Sequence, residues 1–139
     1  MKRQKLRKRI LIADDHEVMR KGLKSLLALR RDWQVCGEAS TGMEAIEKSL
    51  KLKPDVVLLD VCMPQMDGLE AARGILLTRP EQKIVMYTIH GSDEFACAAM
   101  RAGAQAAVPK SEKAEQLFQA IDVVLQGEAF FPGFGRLQN

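Results

Sequence analysis

Residues 54–60 have the sequence PDVVLLD, and this stretch decides the fold class. Pro54 and Asp55 are residues typical of turns, and the four residues after them are all apolar. A strand that is apolar on both faces is typical of the centre of a parallel sheet that helices cover on both sides. The stretch therefore predicts a buried central strand that ends at the acidic residue Asp60.

The sequence on either side of this strand alternates between short β-type runs and longer helical patterns. Further strands are predicted at residues 9–13, 33–39, 83–88 and 105–108. Apolar residues at helical spacing predict helices at residues 17–29, 43–50, 67–77, 92–101 and 112–126. Five strands that alternate with five helices predict an α/β, flavodoxin-like, doubly wound parallel sheet of strand order 2-1-3-4-5.

The charge is unevenly distributed along the 139 residues. Residues 1–9 contain six basic and no acidic residues, so the rest of the chain, with 15 basic against 18 acidic residues, carries a net charge of −3. We therefore predict a basic N-terminal arm at residues 1–8. The strand and helix pattern predicts a folded unit at 9–128, and residues 130–135 break the helical pattern, which predicts a tail at 129–139. A solvated arm is favoured over a nucleic-acid contact, and we expect no sequence-specific DNA binding by this chain.

The composition favours a cytoplasmic protein. The longest apolar run, residues 95–100, is much shorter than the roughly 18 residues that span a bilayer. No apolar segment follows the basic start to form a signal peptide, so we expect no membrane contact. The three cysteines are widely spaced and match neither a disulfide framework nor a zinc site.

Residues that could carry chemistry follow four of the five predicted strands. They are Asp14 and Asp15 after the first, Asp60 after the third, Thr88 at the end of the fourth and Lys110 after the fifth. Each has an ordinary structural explanation when taken alone, such as a helix cap or a solvated surface residue. Because the carboxyl ends of parallel strands meet at one edge, where ligands bind in such sheets, the set favours a functional site.

These residue types together fit phosphoryl transfer. Three clustered carboxylates repel one another, and a hard cation such as Mg²⁺ relieves that repulsion. With the cation bound, Asp60 stays ionised and can attack a phosphoryl group. Lys110 would neutralise phosphoryl oxygens, and Thr88 could donate a hydrogen bond to the acyl phosphate. The sequence contains neither a Walker A loop nor a GxGxxG motif, so nucleotide binding is not indicated.

The chain resembles a response-regulator receiver domain of two-component systems, of the NarL/FixJ (LuxR) type, over about residues 9–128. The resemblance rests on ADDHEVMRKGLKSLL (13–27), DVVLLDVCMPQMDGLEAARGI (55–75), IVMYTIHG (84–91), RAGAQAAVPKS (101–111) and the ending AIDVVLQGEAFFP. It implies a CheY-like fold and a role for each site residue. By position, Asp60 is the phosphoacceptor, Asp15 a direct Mg²⁺ ligand, Asp14 an outer-shell residue, the Cys62 backbone carbonyl a further ligand, and Thr88 and Lys110 the switch and phosphate-binding residues.

The resemblance also implies partners. A sensor histidine kinase or a phosphotransfer protein would donate the phosphoryl group, and a homodimer is compatible with this family. DNA would be bound only through a C-terminal helix-turn-helix domain that residues 1–139 do not include, and we expect residues 129–139 to be either a tail or the start of a linker to it. We expect no enzyme activity beyond self-phosphorylation and dephosphorylation at an aspartate.

Two positions depart from the family pattern. Ala107 stands three residues before the lysine, where an aromatic residue is usual, and Ile89 follows Thr88, where a small residue is usual. A stand-alone or degenerate receiver that acts as a protein-interaction module is therefore the alternative. A haloacid-dehalogenase-type phosphohydrolase is less favoured, because that family needs a second acid two residues after the nucleophile, and Cys62 stands there.

Overall fold

The structure, a computed structural model, describes residues 6–89, 92–110 and 113–131. Strands and helices alternate along this part of the chain. The strands are β1 (Lys8–Ala13), β2 (Trp33–Ala39), β3 (Val56–Leu59), β4 (Lys83–Thr88) and β5 (Ala106–Pro109). The helices are α1 (Glu17–Leu27), α2 (Gly42–Leu52), α3 (Gly68–Thr78), α4 (Asp93–Arg101) and α5 (Ala114–Leu125). His90 and most of the predicted arm and tail lie outside the described residues.

All five strands are parallel and follow the order β2-β1-β3-β4-β5, so the predicted fold class and strand order are confirmed. In the register between β1 and β3, Ala13 pairs with Leu59. The residue after each of these strands is an aspartate, so the pairing sets Asp14 and Asp60 side by side at the carboxyl edge.

Two apolar cores lie on opposite faces of the sheet, as the run at residues 56–59 predicts. Alternate residues of β3, such as Val57 and Leu59, pack in the core formed with α2, α3 and α4. Val56 and Leu58 pack in the other core, formed with α1 and α5. Every residue of β3 is buried, which leaves solvent access to this strand only at its ends.

The start of α3 lies very close to the chain that leaves β3. A Cβ atom on Gly68 would be 2.4 Å from the backbone oxygen of Asp60 and 2.7 Å from Cα of Val61, so only glycine fits there. The Gly68 N–H donates to the Val61 carbonyl at 2.8 Å. A capping box between Asp67 and Glu70 holds the helix end. Together these contacts fix the backbone that carries Asp60.

The fifth strand is shifted by one residue from its predicted bounds and includes Pro109. Proline cannot donate a ladder hydrogen bond, so its place in a strand needs a structural reason. In the structure, the Ala107 N–H points away from β4 and donates to the Phe130 carbonyl at 3.3 Å. Pro109, two residues later, has its nitrogen on the same outer side, so no bond to β4 is lost.

Both ends of the described chain contact the sheet. At the amino end, β1 begins at Lys8, inside the predicted arm, and an Arg7 guanidinium nitrogen donates to the Trp33 carbonyl at 2.7 Å. After α5, Phe130 forms a parallel bridge with Ala106 beside β5, and Phe131 is buried in the core. Among the helices in the described ranges, none has the length and apolar character to cross a bilayer.

Candidate functional site

Two buried aspartates form the centre of the carboxyl edge. The Asp14 N–H donates to the Ala39 carbonyl at 3.0 Å, and the Asp60 N–H donates to the Ala13 carbonyl at 2.9 Å, so both residues continue the sheet ladder. Asp14 is 1% exposed and Asp60 is 4% exposed. Aspartate is rarely buried to this extent without a partner, so the pair requires a counter-charge nearby.

Lys110 provides a positive charge between the two carboxylates. Its Nζ is 3.2 Å from Asp14 Oδ2 and 3.4 Å from Asp60 Oδ1, and its side chain is 10% exposed. The same nitrogen is 5.7 Å from the centroid of the Tyr87 ring. The Lys110 N–H donates to the Thr88 carbonyl, so pairing between the ends of β4 and β5 sets the position from which the lysine reaches across the edge.

The charge of Asp60 is incompletely balanced. Burial raises the pKa of its carboxyl group, and the charge of Asp14 raises it further, while Lys110 and the Cys62 backbone N–H lower it. Asp60 Oδ2 is buried and has no hydrogen-bond partner among the described residues. A buried carboxylate oxygen without a donor costs free energy that a cation or an incoming electrophile can recover.

Asp15 and His16 complete the acidic end of the site. The Asp15 side chain is 28% exposed, so it faces the solvent side of the pair. His16 Nδ1 lies 3.0 Å from Asp15 Oδ1 and 3.2 Å from Asp14 Oδ1, and the His16 N–H donates to Asp14 Oδ1 at 2.9 Å. The His16 side chain is 68% exposed although it contacts both aspartates.

The donor set fits a hard divalent cation. Asp14, Asp15, His16 and Asp60 each offer a ligand atom, and these atoms all lie within 4.8 Å of one another. Carboxylate oxygens predominate, and they suit Mg²⁺ better than softer metals. The unpartnered Oδ2 of Asp60 is consistent with a bound cation. The structure thus assembles an acidic pocket that could hold Mg²⁺.

The other two predicted site residues lie at the same edge. Thr88 is fully buried at the end of β4, and its backbone carbonyl accepts the Lys110 N–H. Cys62 is exposed two residues after Asp60, and its backbone N–H faces the Asp60 carboxylate. The structure therefore brings every predicted site residue to one edge. Arg20 is the site neighbour that sequence reasoning missed, since only a contact through space connects it to Asp14.

A doubly wound sheet with two buried carboxylates and a lysine at its carboxyl edge defines a CheY-like receiver fold. Comparison with known proteins agrees. The sequence profile of the response regulator receiver domain matches residues 10–122, and the chain belongs to this family.

Individual relatives agree with the family. The chain is 39% identical over 122 residues to the response regulator GacA of Pseudomonas viridiflava, covering 88% of this chain and 57% of that protein. It is 34% identical over 121 residues to the transcriptional regulatory protein DegU of Brevibacillus brevis, covering 87% and 51%. The chain therefore spans little more than half the length of these curated relatives.

A solved structure shows the same fold over nearly the whole chain. A LuxR-family two-component response regulator from Aurantimonas sp. SI85-9A1 superposes with a TM-score of 0.91 at 33% identity, covering 94% of each chain. The predicted family and the predicted receiver fold are confirmed.

Proposed function

We propose that this chain accepts one phosphoryl group on Asp60 from a histidine kinase or a phosphotransfer protein. The observation that carries the proposal is the Asp60 carboxylate itself. One of its oxygens lies 3.4 Å from Lys110 Nζ, and the other is buried with no hydrogen-bond partner among the described residues. A carboxylate in this state is ionisable, oriented and only partly neutralised, as a phosphoryl acceptor must be.

Residues of the site can supply each part of the phosphoryl transfer, from the nucleophile to the groups that neutralise the phosphoryl oxygens. A carboxylate oxygen of Asp60 attacks phosphorus, the bond between phosphorus and the donor's imidazole nitrogen breaks, and the electron pair stays on that nitrogen. Lys110, already between Asp14 and Asp60, is placed to neutralise a phosphoryl oxygen. Thr88, buried at the end of β4, is the candidate donor of a hydrogen bond to the acyl phosphate.

Asp14, Asp15 and Asp60, with the Cys62 backbone carbonyl, are the residues proposed to hold Mg²⁺. When bound, the ion would reduce repulsion between the carboxylates and the phosphoryl oxygens. Both oxygens of Asp14 already face donors, the His16 N–H and Lys110, which supports an outer-shell role for this residue. Asp15 Oδ1 and Asp60 Oδ2 have no hydrogen-bond partner among the described residues, which supports direct ligation by these two carboxylates.

Transcription is the proposed output. The chain spans 57% of the regulator GacA and 51% of the transcriptional regulatory protein DegU, so these relatives have a second part that it does not match. We propose that residues 9–128, with the docked Phe130 and Phe131, form the receiver of a cytoplasmic regulator. In this proposal a C-terminal helix-turn-helix domain binds DNA, and residues beyond Phe131 begin the linker.

Incubation with acetyl phosphate and Mg²⁺ tests the acceptor. Intact-mass spectrometry should show one added phosphoryl group on the natural chain and none on Asp60→Asn. The matched control is Asp122→Asn, which makes the same change at an aspartate whose side chain is 43% exposed and should be phosphorylated normally. Equal labelling of Asp60→Asn would move the acceptor elsewhere, and absence of labelling in all three would favour the interaction-module alternative.

A further inference from the structure

Arg20 joins the acidic pocket to strand β2. Its Nη1 donates to the backbone carbonyl oxygen of Asp14 at 2.6 Å, and its Nε donates to Glu38 Oε1 at 3.2 Å. The side chain is 16% exposed, so the guanidinium lies largely beneath the surface. Two separate donors of one planar group thus contact Glu38 in β2 and the residue that follows β1. A single ammonium cannot reproduce that geometry.

Asp14 is held at each of its polar atoms. Its N–H donates to Ala39, its Oδ1 accepts the His16 N–H, and its Oδ2 faces Lys110. The remaining atom is the carbonyl oxygen, which accepts from Arg20. That carbonyl belongs to the peptide unit joining Asp14 to Asp15, so the orientation of this unit also determines where the Asp15 carboxylate points.

Glu38 is in turn held on both sides. Lys24 Nζ lies 3.0 Å from Glu38 Oε2, the oxygen that Arg20 does not use. The Lys48 ammonium donates to the Glu38 backbone carbonyl. These contacts restrict the position of Glu38, and Glu38 in turn restricts the Arg20 guanidinium that donates to the Asp14 carbonyl.

We propose that Arg20, supported by Glu38, is a positioning residue that fixes the Asp14–Asp15 peptide unit so that both carboxylates are presented to Mg²⁺. The inference rests on the proposed function and adds to it a residue that touches neither the metal nor the phosphoryl group. Its effect is expected in metal affinity, since supporting residues of this kind change metal affinity by about 10- to 100-fold when they are lost.

The direction in which Mg²⁺ affinity changes when Arg20 is replaced distinguishes a positioning role from a purely electrostatic one. A cation beside an acidic pocket repels Mg²⁺, so if Arg20 acted only through its charge, removing that charge would tighten Mg²⁺ binding. If Arg20 positions the peptide unit, removing it weakens Mg²⁺ binding in spite of the more negative field. The two roles predict opposite directions for the same measurement.

The experiment compares Arg20→Gln and Arg20→Lys with the natural chain by calorimetric titration of Mg²⁺. Both variants should bind Mg²⁺ about tenfold more weakly, because lysine keeps the charge but cannot make both hydrogen bonds. Lys21→Gln is the matched control, since it removes a charge from the same helix at an exposed pair with Glu17 and should leave affinity unchanged. Arg20→Lys also serves if Arg20→Gln fails to fold.

Phosphorylation by acetyl phosphate supplies the second measurement. The Arg20 variants should need more Mg²⁺ for half-maximal rate, yet reach within about twofold of the natural rate at saturating Mg²⁺, because Asp60 and Lys110 are unchanged. Unchanged or tighter Mg²⁺ binding in either Arg20 variant would overturn the proposal. If the natural chain binds Mg²⁺ but is never phosphorylated, the proposed function fails, while the Mg²⁺ titrations still decide the role of Arg20.

Discussion

Two groups of side chains with the same composition, two aspartates and one cation, lie at opposite edges of the sheet and differ in burial. The group at the carboxyl edge is nearly sealed from solvent and consists of Asp14, Asp60 and Lys110. The group at the amino edge is half exposed and consists of Asp32, Asp122 and Arg30.

In the amino-edge group, each carboxylate oxygen accepts a hydrogen bond from Arg30. Arg30 donates to both oxygens of Asp32, at 2.9 and 2.8 Å, and to both oxygens of Asp122, at 3.0 Å each. Its guanidinium also lies 4.0 Å from the centre of the Trp33 ring. These carboxylates raise the pKa of Arg30 further above its usual range. This group joins the end of α1 to α5, and every oxygen of its two carboxylates accepts a hydrogen bond from Arg30.

In the carboxyl-edge group, one carboxylate oxygen, Asp60 Oδ2, accepts no hydrogen bond from the described residues. Lysine offers a single ammonium where arginine offers a planar fork. Burial raises the pKa of Asp60, so its ionised form costs free energy in the metal-free protein. The comparison teaches that two ion clusters of the same composition can differ in burial and in hydrogen bonding, and that these differences decide which cluster keeps an oxygen for a ligand.

The largest expected difference between the two groups is the cost of removing the cation. Lys110→Met leaves two buried carboxylates without a counter-ion and should lower the free energy of unfolding by about 3 kcal/mol. Arg30→Met breaks half-exposed pairs and should cost about 1 kcal/mol. Urea denaturation of both variants in the presence of a chelator measures this. Equal losses would show that burial does not separate the groups.

Replacing one aspartate by asparagine should change the free energy of unfolding in opposite directions at the two edges. Asp60→Asn removes repulsion with Asp14 and the burial cost of a charge, so the metal-free protein should gain about 2 kcal/mol in unfolding free energy. Asp122→Asn weakens a satisfied pair and should lose about 0.5 kcal/mol. Thermal unfolding in a chelator gives both values. A loss of stability in Asp60→Asn would contradict the view that this carboxylate is held in an unfavourable state.

Added Mg²⁺ should stabilise only proteins with an intact carboxyl-edge group. At ten times its dissociation constant, Mg²⁺ should add about 1.4 kcal/mol to the natural chain. Asp122→Asn should show the same gain, whereas Asp60→Asn should lose most of it. The measurement is a thermal shift at constant ionic strength, with NaCl as the control salt. A similar gain in all three proteins would place the ion outside the site.

The general position of the site could be predicted from the sequence. The apolar run at residues 56–59 identified a central strand, and parallel topology then required that Asp14, Asp60 and Lys110 share one edge. The end of β5 was harder to predict from the sequence. The chain after α5 lies along the outer side of β5, where the Ala107 N–H donates to Phe130. Pro109 has its nitrogen on that same side, so the strand can include it. That docking is a contact between distant segments, and no local pattern marks it.

What the sequence alone determined is the layout: the alternation of strands and helices, the strand order and the edge where the acidic residues collect. The alternation follows from hydrophobic periodicity, which is a property of short segments. The strand order and the shared edge follow from the doubly wound fold of which this alternation is typical. Only the tertiary structure decided which hydrogen bonds and ion pairs the charged groups make. It showed that Asp60 Oδ2 has no hydrogen-bond partner within the described residues, that Arg20 donates to the Asp14 carbonyl, and that Arg30 donates to both oxygens of each of its two aspartates. Hydrogen bonding and desolvation depend on atoms brought together from distant positions, so they emerge only when the segments are packed.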